Sequence, residues 1–184
     1  MATLVSISNM ALTHLGHNTI NSMDQGVEAA RKCKLLIQPA IDAVLRAYNW
    51  NCATKRAALT RSGTDPSFGY DYQFALPLDC LRVIRMEEAS YDFKIEGRLL
   101  LTNETTAKII YICRILVGEM DSLLSQAIAA RLGLDLSYGL SNSNSMQETM
   151  AKLYAGKLQE AQQIDAQEGI PYDLETTTWL DARQ

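Results

Sequence analysis

His14 and His17, spaced for one helical turn, are the sharpest pair of metal-ligand types in the sequence. Two imidazoles at that spacing can share an ion only while both stay on one helical face. Gly16 lies between them, where a glycine is expected to end a helix and carry His17 off the face. With no third His or Cys nearby, no metal site is expected. Cys33, Cys52, Cys80 and Cys113 lack the close spacing of zinc knuckles or redox motifs, and they read as separate, buried, reduced thiols. One of them paired with a histidine would make a small cysteine-dependent hydrolase, but no flanking signature accompanies any of the four. Glu87-Glu88 and Asp165 with Glu168 would serve acid–base chemistry if buried together, yet their polar surroundings read as solvated faces. No phosphate-cradling glycine loop, nucleophile elbow, zinc-protease helix or calcium loop occurs in the sequence. The expectation is a protein that is not an enzyme and uses no cofactor.

The chain that must position these residues has 184 of them, 47% hydrophobic and 21% charged, which suits one globular domain with a packed core. The start of the chain lacks a basic n-region and carries Ser6, Ser8, Asn9 and His14, so a secretory leader is not expected and a reducing compartment is. No apolar run approaches the roughly 20 residues of a membrane span. Lys and Arg are scattered and the net charge is −4, which disfavours tight binding of nucleic acid.

Helical spacing organises both ends of the chain. Leu4, Ile7, Ala11 and Leu15 predict a first helix over about 3–16. A second, over about 24–49, carries Val27, Ala30, Cys33, Ile37, Ile41, Val44 and Tyr48, with Asp24 as its cap and a kink expected near Leu35 to Pro39. Between about 52 and 116 the pattern becomes extended, and Tyr91, Phe93 and Ile95 alternate with Asp92, Lys94 and Glu96 before Gly97 permits a hairpin into Leu99. This predicts a small antiparallel sheet. Helices return over about 121–138, with Leu123, Leu124, Ala127, Ile128 and Leu132 inward, and over about 145–167, opened by a Ser145-x-x-Glu148 capping box and carrying Met150, Leu153, Tyr154, Leu158, Ala161 and Ile164. The fold expected is α+β: a four-helix bundle core in a single domain, 1–169, with an inserted β-sheet and an extended C-terminal arm, 170–184. The arm has no sustained period, yet its Tyr172, Trp179 and Leu180 are costly to leave in water, and with Arg183 they are the expected partner-binding residues.

Several strings in fixed order resemble the tail tubular protein A-like, or head-tail adaptor, family of short-tailed bacteriophages. They are Ala11-Leu12-x-x-Leu15-Gly16, Ile20-x-Ser22-Met23-Asp24 and Val44-Leu45-Arg46-x-x-x-Trp50-Asn51, then Ala75-Leu76-Pro77-x-Asp79-Cys80-Leu81-Arg82-Val83, Ile95-Glu96-Gly97-Arg98 and the strand from Ile109 to Arg114. Ala127-x-Ala129-Ala130-Arg131-Leu132 and Trp179-Leu180-Asp181-Ala182-Arg183 complete the pattern. Cys52 departs from it, standing where an aromatic is expected. The resemblance implies a helical bundle with a β-rich insertion, and a structural virion protein. Its partners would be the portal protein, the tail nozzle protein and further copies of itself in a homo-oligomeric ring of twelve. DNA would pass through the lumen without specific binding, and the protein would sit at the neck of the virion after assembly in the host cytoplasm. The resemblance assigns no residue to the lining of the channel. A cysteine-dependent hydrolase and a monomeric regulatory binding module are the alternatives.

Overall fold

A computed structural model describes residues 2–141 and 143–168. The expected arm, with Tyr172, Trp179, Leu180 and Arg183, lies outside the described residues. The fold is mixed α+β. Two helices, α1 (Leu4–His14) and α2 (Glu28–Ala47), precede seven strands, and two more, α3 (Ser122–Ser141) and α4 (Asn144–Gln167), follow them. The strands are β1 (Thr54–Ala58), β2 (Thr60–Arg61), β3 (Tyr72–Ala75), β4 (Cys80–Met86), β5 (Phe93–Glu96), β6 (Leu99–Thr102) and β7 (Lys108–Cys113).

Local chemistry explains the helix ends. Thr3 caps α1, its hydroxyl accepting from the Ser6 N–H at 3.0 Å while Ser6 Oγ accepts from the Thr3 N–H at 2.8 Å. At the other end Gly16 takes φ 71°, the His17 N–H reaches the Leu12 carbonyl, and the Gly16 N–H reaches that of Thr13. This closure is the one glycine makes without a Cβ penalty. Of the expected stripe on α1, Ile7, Ala11 and Leu15 are buried, joined by Leu12, while Leu4 in the first turn is exposed.

Helix α2 corrects one expectation. Val27, not Asp24, stands at its N-cap and supplies no side-chain bond, while the Asp24 carboxylate pairs with Lys34 instead. The helix runs from Glu28 to Ala47 with Pro39 inside it. That residue and Leu35, whose carbonyl the proline cannot pair, both lie on the exposed face. Helix α3 also outruns its expected end at Tyr138-Gly139 and continues to Ser141, with Lys32 donating to the Gly139 carbonyl. At the start of α4 the cap is Ser143, which accepts from the Met146 N–H at 3.3 Å, so the expected Ser145 box gives way to a serine two places earlier.

Helix α3 is the centre of the helical layer and packs against α1, α2 and α4. It is buried on most sides, with Leu124, Ala127, Ile128, Ala129, Ala130 and Leu132 all sequestered, which is why it shows little one-sidedness. Small residues let its neighbours approach closely. A Cβ on Gly133 would lie 2.5 Å from Met150 Cε and 3.7 Å from the Ala11 carbonyl oxygen. Helix α4 buries only Met150 and Ala161 completely, and Ile164, expected inward, is exposed.

The β-rich segment forms two antiparallel sheets where one was expected, ordered β1-β7-β4 and β2-β3-β6-β5. The division follows from β1 and β2, adjacent in the chain, pairing with different strands. Glu96 opposes Leu99 across the expected hairpin, and Gly97 at its turn adopts φ 60°. Ile95 stays exposed because β5 is an edge strand.

Candidate functional site

The residues first considered for chemistry are separated by this fold. His14 ends α1, and His17 follows the left-handed Gly16 and leaves the helical face. Cys33 lies inside α2, where burial pushes its thiol up against the weaker opposing bond from Ser8. Cys52 is exposed rather than buried, a correction that follows from its place in a short 3-10 turn after Trp50. The Glu87 carboxylate is taken up by Lys108 at 3.0 Å, and Asp165 accepts from the Asn51 N–H at 3.1 Å.

The densest polar arrangement lies at the corner where β4 begins and β7 ends. The turn Leu76-Pro77-Leu78-Asp79 enters this corner from β3, closed by the Cys80 N–H donating to the Pro77 carbonyl at 3.0 Å. Arg98, from the β5–β6 turn, donates its guanidinium to the Pro77 carbonyl, and the Leu76 N–H donates back to the Arg98 carbonyl at 3.0 Å. The Asp79 carbonyl accepts from the Arg114 N–H at 2.8 Å. The Asp79 carboxylate accepts from the Tyr111 hydroxyl at 3.2 Å and from Lys55 Nζ at 3.3 Å. One carboxylate thus joins β1, β7 and the turn.

The protonation states make this corner a clamp. Burial, and then the charge of Asp79, push the Tyr111 phenol up to about 12. The hydrogen bond to Asp79 holds the Lys55 ammonium charged, and burial pushes the thiols of Cys80 and Cys113 up. Near neutral pH the phenol, the ammonium and both thiols keep their protons, so none of these four groups is poised as base or nucleophile. What the clamp does is hold a turn whose apolar residue points to water. Leu78 is 92% exposed, and Leu116, just beyond β7 at the same end of the ladder, is 74% exposed. Leaving a leucine in water forgoes roughly 1.5–3 kcal/mol of burial.

Neither a known family model nor a curated protein matches this chain. Among the described residues no group of three or more His, Cys, Asp and Glu is arranged to hold a metal ion. Among them, too, no helix is long and apolar enough to cross a membrane. A second surface feature is an open cleft on the three-stranded sheet. There the register sets Arg56 and Arg85 on either side of Ile110, and Lys108 pairs with Glu87 at its edge. The corner at Asp79 escaped the sequence reading as a site, although its residues fall inside the string from Ala75 to Val83. The only available signal was a Pro-x-Asp turn with a leucine at the intervening position.

Proposed function

We propose that this chain is a non-enzymatic structural protein of a short-tailed bacteriophage. In this reading it is a head-to-tail adaptor that uses no cofactor and assembles with copies of itself between the portal and the tail nozzle. The observation that carries this reading is the clamped corner, where Asp79, Lys55, Tyr111 and Arg98 are spent on holding Leu78 and its turn outward. Polar groups used in this way favour binding over chemistry. The element order adds support, since two helices, a β-rich segment and two helices is the order the resemblance implies.

On this reading α1 to α4 act as a bundle carrying the β-rich segment, and the ring has twelve subunits at the neck of the virion, built in the host cytoplasm. The arm with Tyr172, Trp179, Leu180 and Arg183 docks on the portal or on a neighbouring subunit. A net charge of −4 per subunit suits a lumen through which DNA slides without capture. The test is to mix the purified chain with the portal of the same phage and follow co-sedimentation. The adaptor reading expects a monomer or weak oligomer alone and a closed ring with portal. Absence of any complex with portal or nozzle protein would overturn it.

A further inference from the structure

Cys80 and Cys113, far apart in the chain, are direct partners across the β4–β7 ladder. The Arg114 N–H donates to the Asp79 carbonyl at 2.8 Å, so the ladder bond beside the pair joins the residue after one cysteine to the residue before the other. That pattern defines a non-hydrogen-bonded site, at which opposed Cα atoms lie about 4.5 Å apart and side chains make their closest approach. The register shifts just after Cys80, between it and Arg82, and disulfides span Cα separations of roughly 4.4 to 6.8 Å, a range that takes in the ordinary spacing at such a site. Both side chains leave the same face of the sheet, and both thiols lie near enough to the Tyr111 hydroxyl to act on its ionisation.

We infer that Cys80 and Cys113 form a cross-strand dithiol that a peroxide-class oxidant closes into a disulfide. Cys80 is 6% exposed and Cys113 is fully buried, so Cys80 meets a small oxidant first. Burial keeps most of its thiol protonated, so the minor thiolate fraction attacks one peroxide oxygen, the O–O bond breaks, and the departing hydroxide takes up the proton that thiol released as water. Cys80 is then a sulfenic acid. Cys113, whose thiol burial pushes up and the Lys55 ammonium only partly draws back, attacks the Cys80 sulfur through its minor thiolate form. Its proton leaves with the displaced hydroxide as a second water. Two thiols lose two electrons in all, and one peroxide gains them.

Closure ties the end of β7 to the residue that follows Asp79, and so fastens the turn bearing Leu78. The timing it suggests rests on the proposed adaptor role: thiols during assembly in a reducing cytoplasm, a disulfide once the particle meets an oxidising exterior. The chemistry itself does not rest on that role, and the experiment needs no portal.

The full-length chain is treated with hydrogen peroxide, quenched, denatured, alkylated with N-ethylmaleimide, digested and mapped by mass spectrometry. The expected product is a peptide pair joined through Cys80 and Cys113, lighter by two hydrogens than its reduced parent, with Cys33 and Cys52 alkylated or singly oxidised. In Cys113→Ser the reaction should stop at Cys80, as a sulfenic acid that dimedone traps. Recovery of both Cys80 and Cys113 in alkylated form, or joined to Cys33 or Cys52, would overturn the inference. If the serine variant does not fold, the map of the unmutated chain decides alone.

Discussion

Asn51 and Asp165 join the start of the β-rich segment to the last turns of α4: the Asn51 N–H donates to Asp165 Oδ1 at 3.1 Å, and Asn51 Nδ2 donates to the Asp165 carbonyl at 2.7 Å. Burial pushes the Asp165 carboxyl up, Asn51 partly opposes this, and the nearby charges of Glu168 and Asp121 raise it further. A carboxyl raised by folding favours the native state most when protonated. Its contribution is present below the ordinary carboxylate range and is lost as pH rises through the raised value. Asp165→Asn keeps an oxygen for Asn51 and removes the charge. Urea midpoints should therefore show the variant gaining on the unmutated protein between pH 4 and pH 7, in steps of well under ~1 kcal/mol for so partly exposed a group. A constant difference across that range would refute the assignment.

Asp42 and Arg114 have the opposite sign. Burial raises Asp42, but the hydrogen bonds from Arg114 and Gln38, with the charges of Arg114 and Arg46, outweigh it and hold the carboxyl below its ordinary value. That stabilisation is present above the unfolded value and is lost as pH falls through the depressed one. Arg114→Gln should cost about 0.5–1 kcal/mol at pH 7, discounted for the half-exposed guanidinium, and almost nothing near pH 2. Chemical denaturation at the two pH values measures the difference.

At Gly133 helix propensity and packing compete. Alanine gains up to ~1 kcal/mol over glycine in a helix interior, but its Cβ would meet Met150 Cε at 2.5 Å. The methionine end is flexible and can move, so Gly133→Ala should change stability by less than about 1 kcal/mol. Gly133→Leu has no such escape with the Ala11 backbone behind Met150, and should cost at least ~2 kcal/mol. Thermal melts of the two variants test the contrast, and equal effects would show that α3 and α4 do not pack closely here.

Leu78→Ser and Leu116→Ser test whether the corner at Asp79 docks a partner, as the proposed adaptor role requires. Both leucines are largely exposed, so each change should leave the free protein's stability within about 0.5 kcal/mol. Co-sedimentation with the portal should weaken by tenfold or more if either leucine is buried in the complex. Unchanged binding by the double variant would remove this corner from the interface.

Trp50 shows how far local reasoning reaches. It stands at the end of the predicted second helix, is buried, and its indole N–H donates to the Val44 carbonyl at 2.9 Å, so the chain's turn into β structure is anchored by a residue six positions from its partner. The helix stop at Gly16 and the hairpin turn at Gly97 were legible for the same reason, because a backbone conformation only glycine adopts easily is a property of that residue. The cap at Ser145 was not, since Ser143 offers the same hydroxyl and the choice between them depends on where α3 ends. The candidate docking residues of the arm, Tyr172, Trp179, Leu180 and Arg183, lie outside the described residues, while the clamped corner at Asp79 was invisible as a site.

By itself the sequence determined the class and order of the elements: helical spacing before Trp50 and after Asp121, alternation and turn residues between them, and an apolar content sufficient for one core. These are local properties, set by each segment's periodicity and propensity. Only the tertiary structure decided that β1 and β2 join different sheets, that Asp79 gathers Lys55 and Tyr111, and that Cys80 faces Cys113. Each of these depends on strand register between segments distant in the chain. Register is selected by the packing of whole faces, which no short window of residues contains.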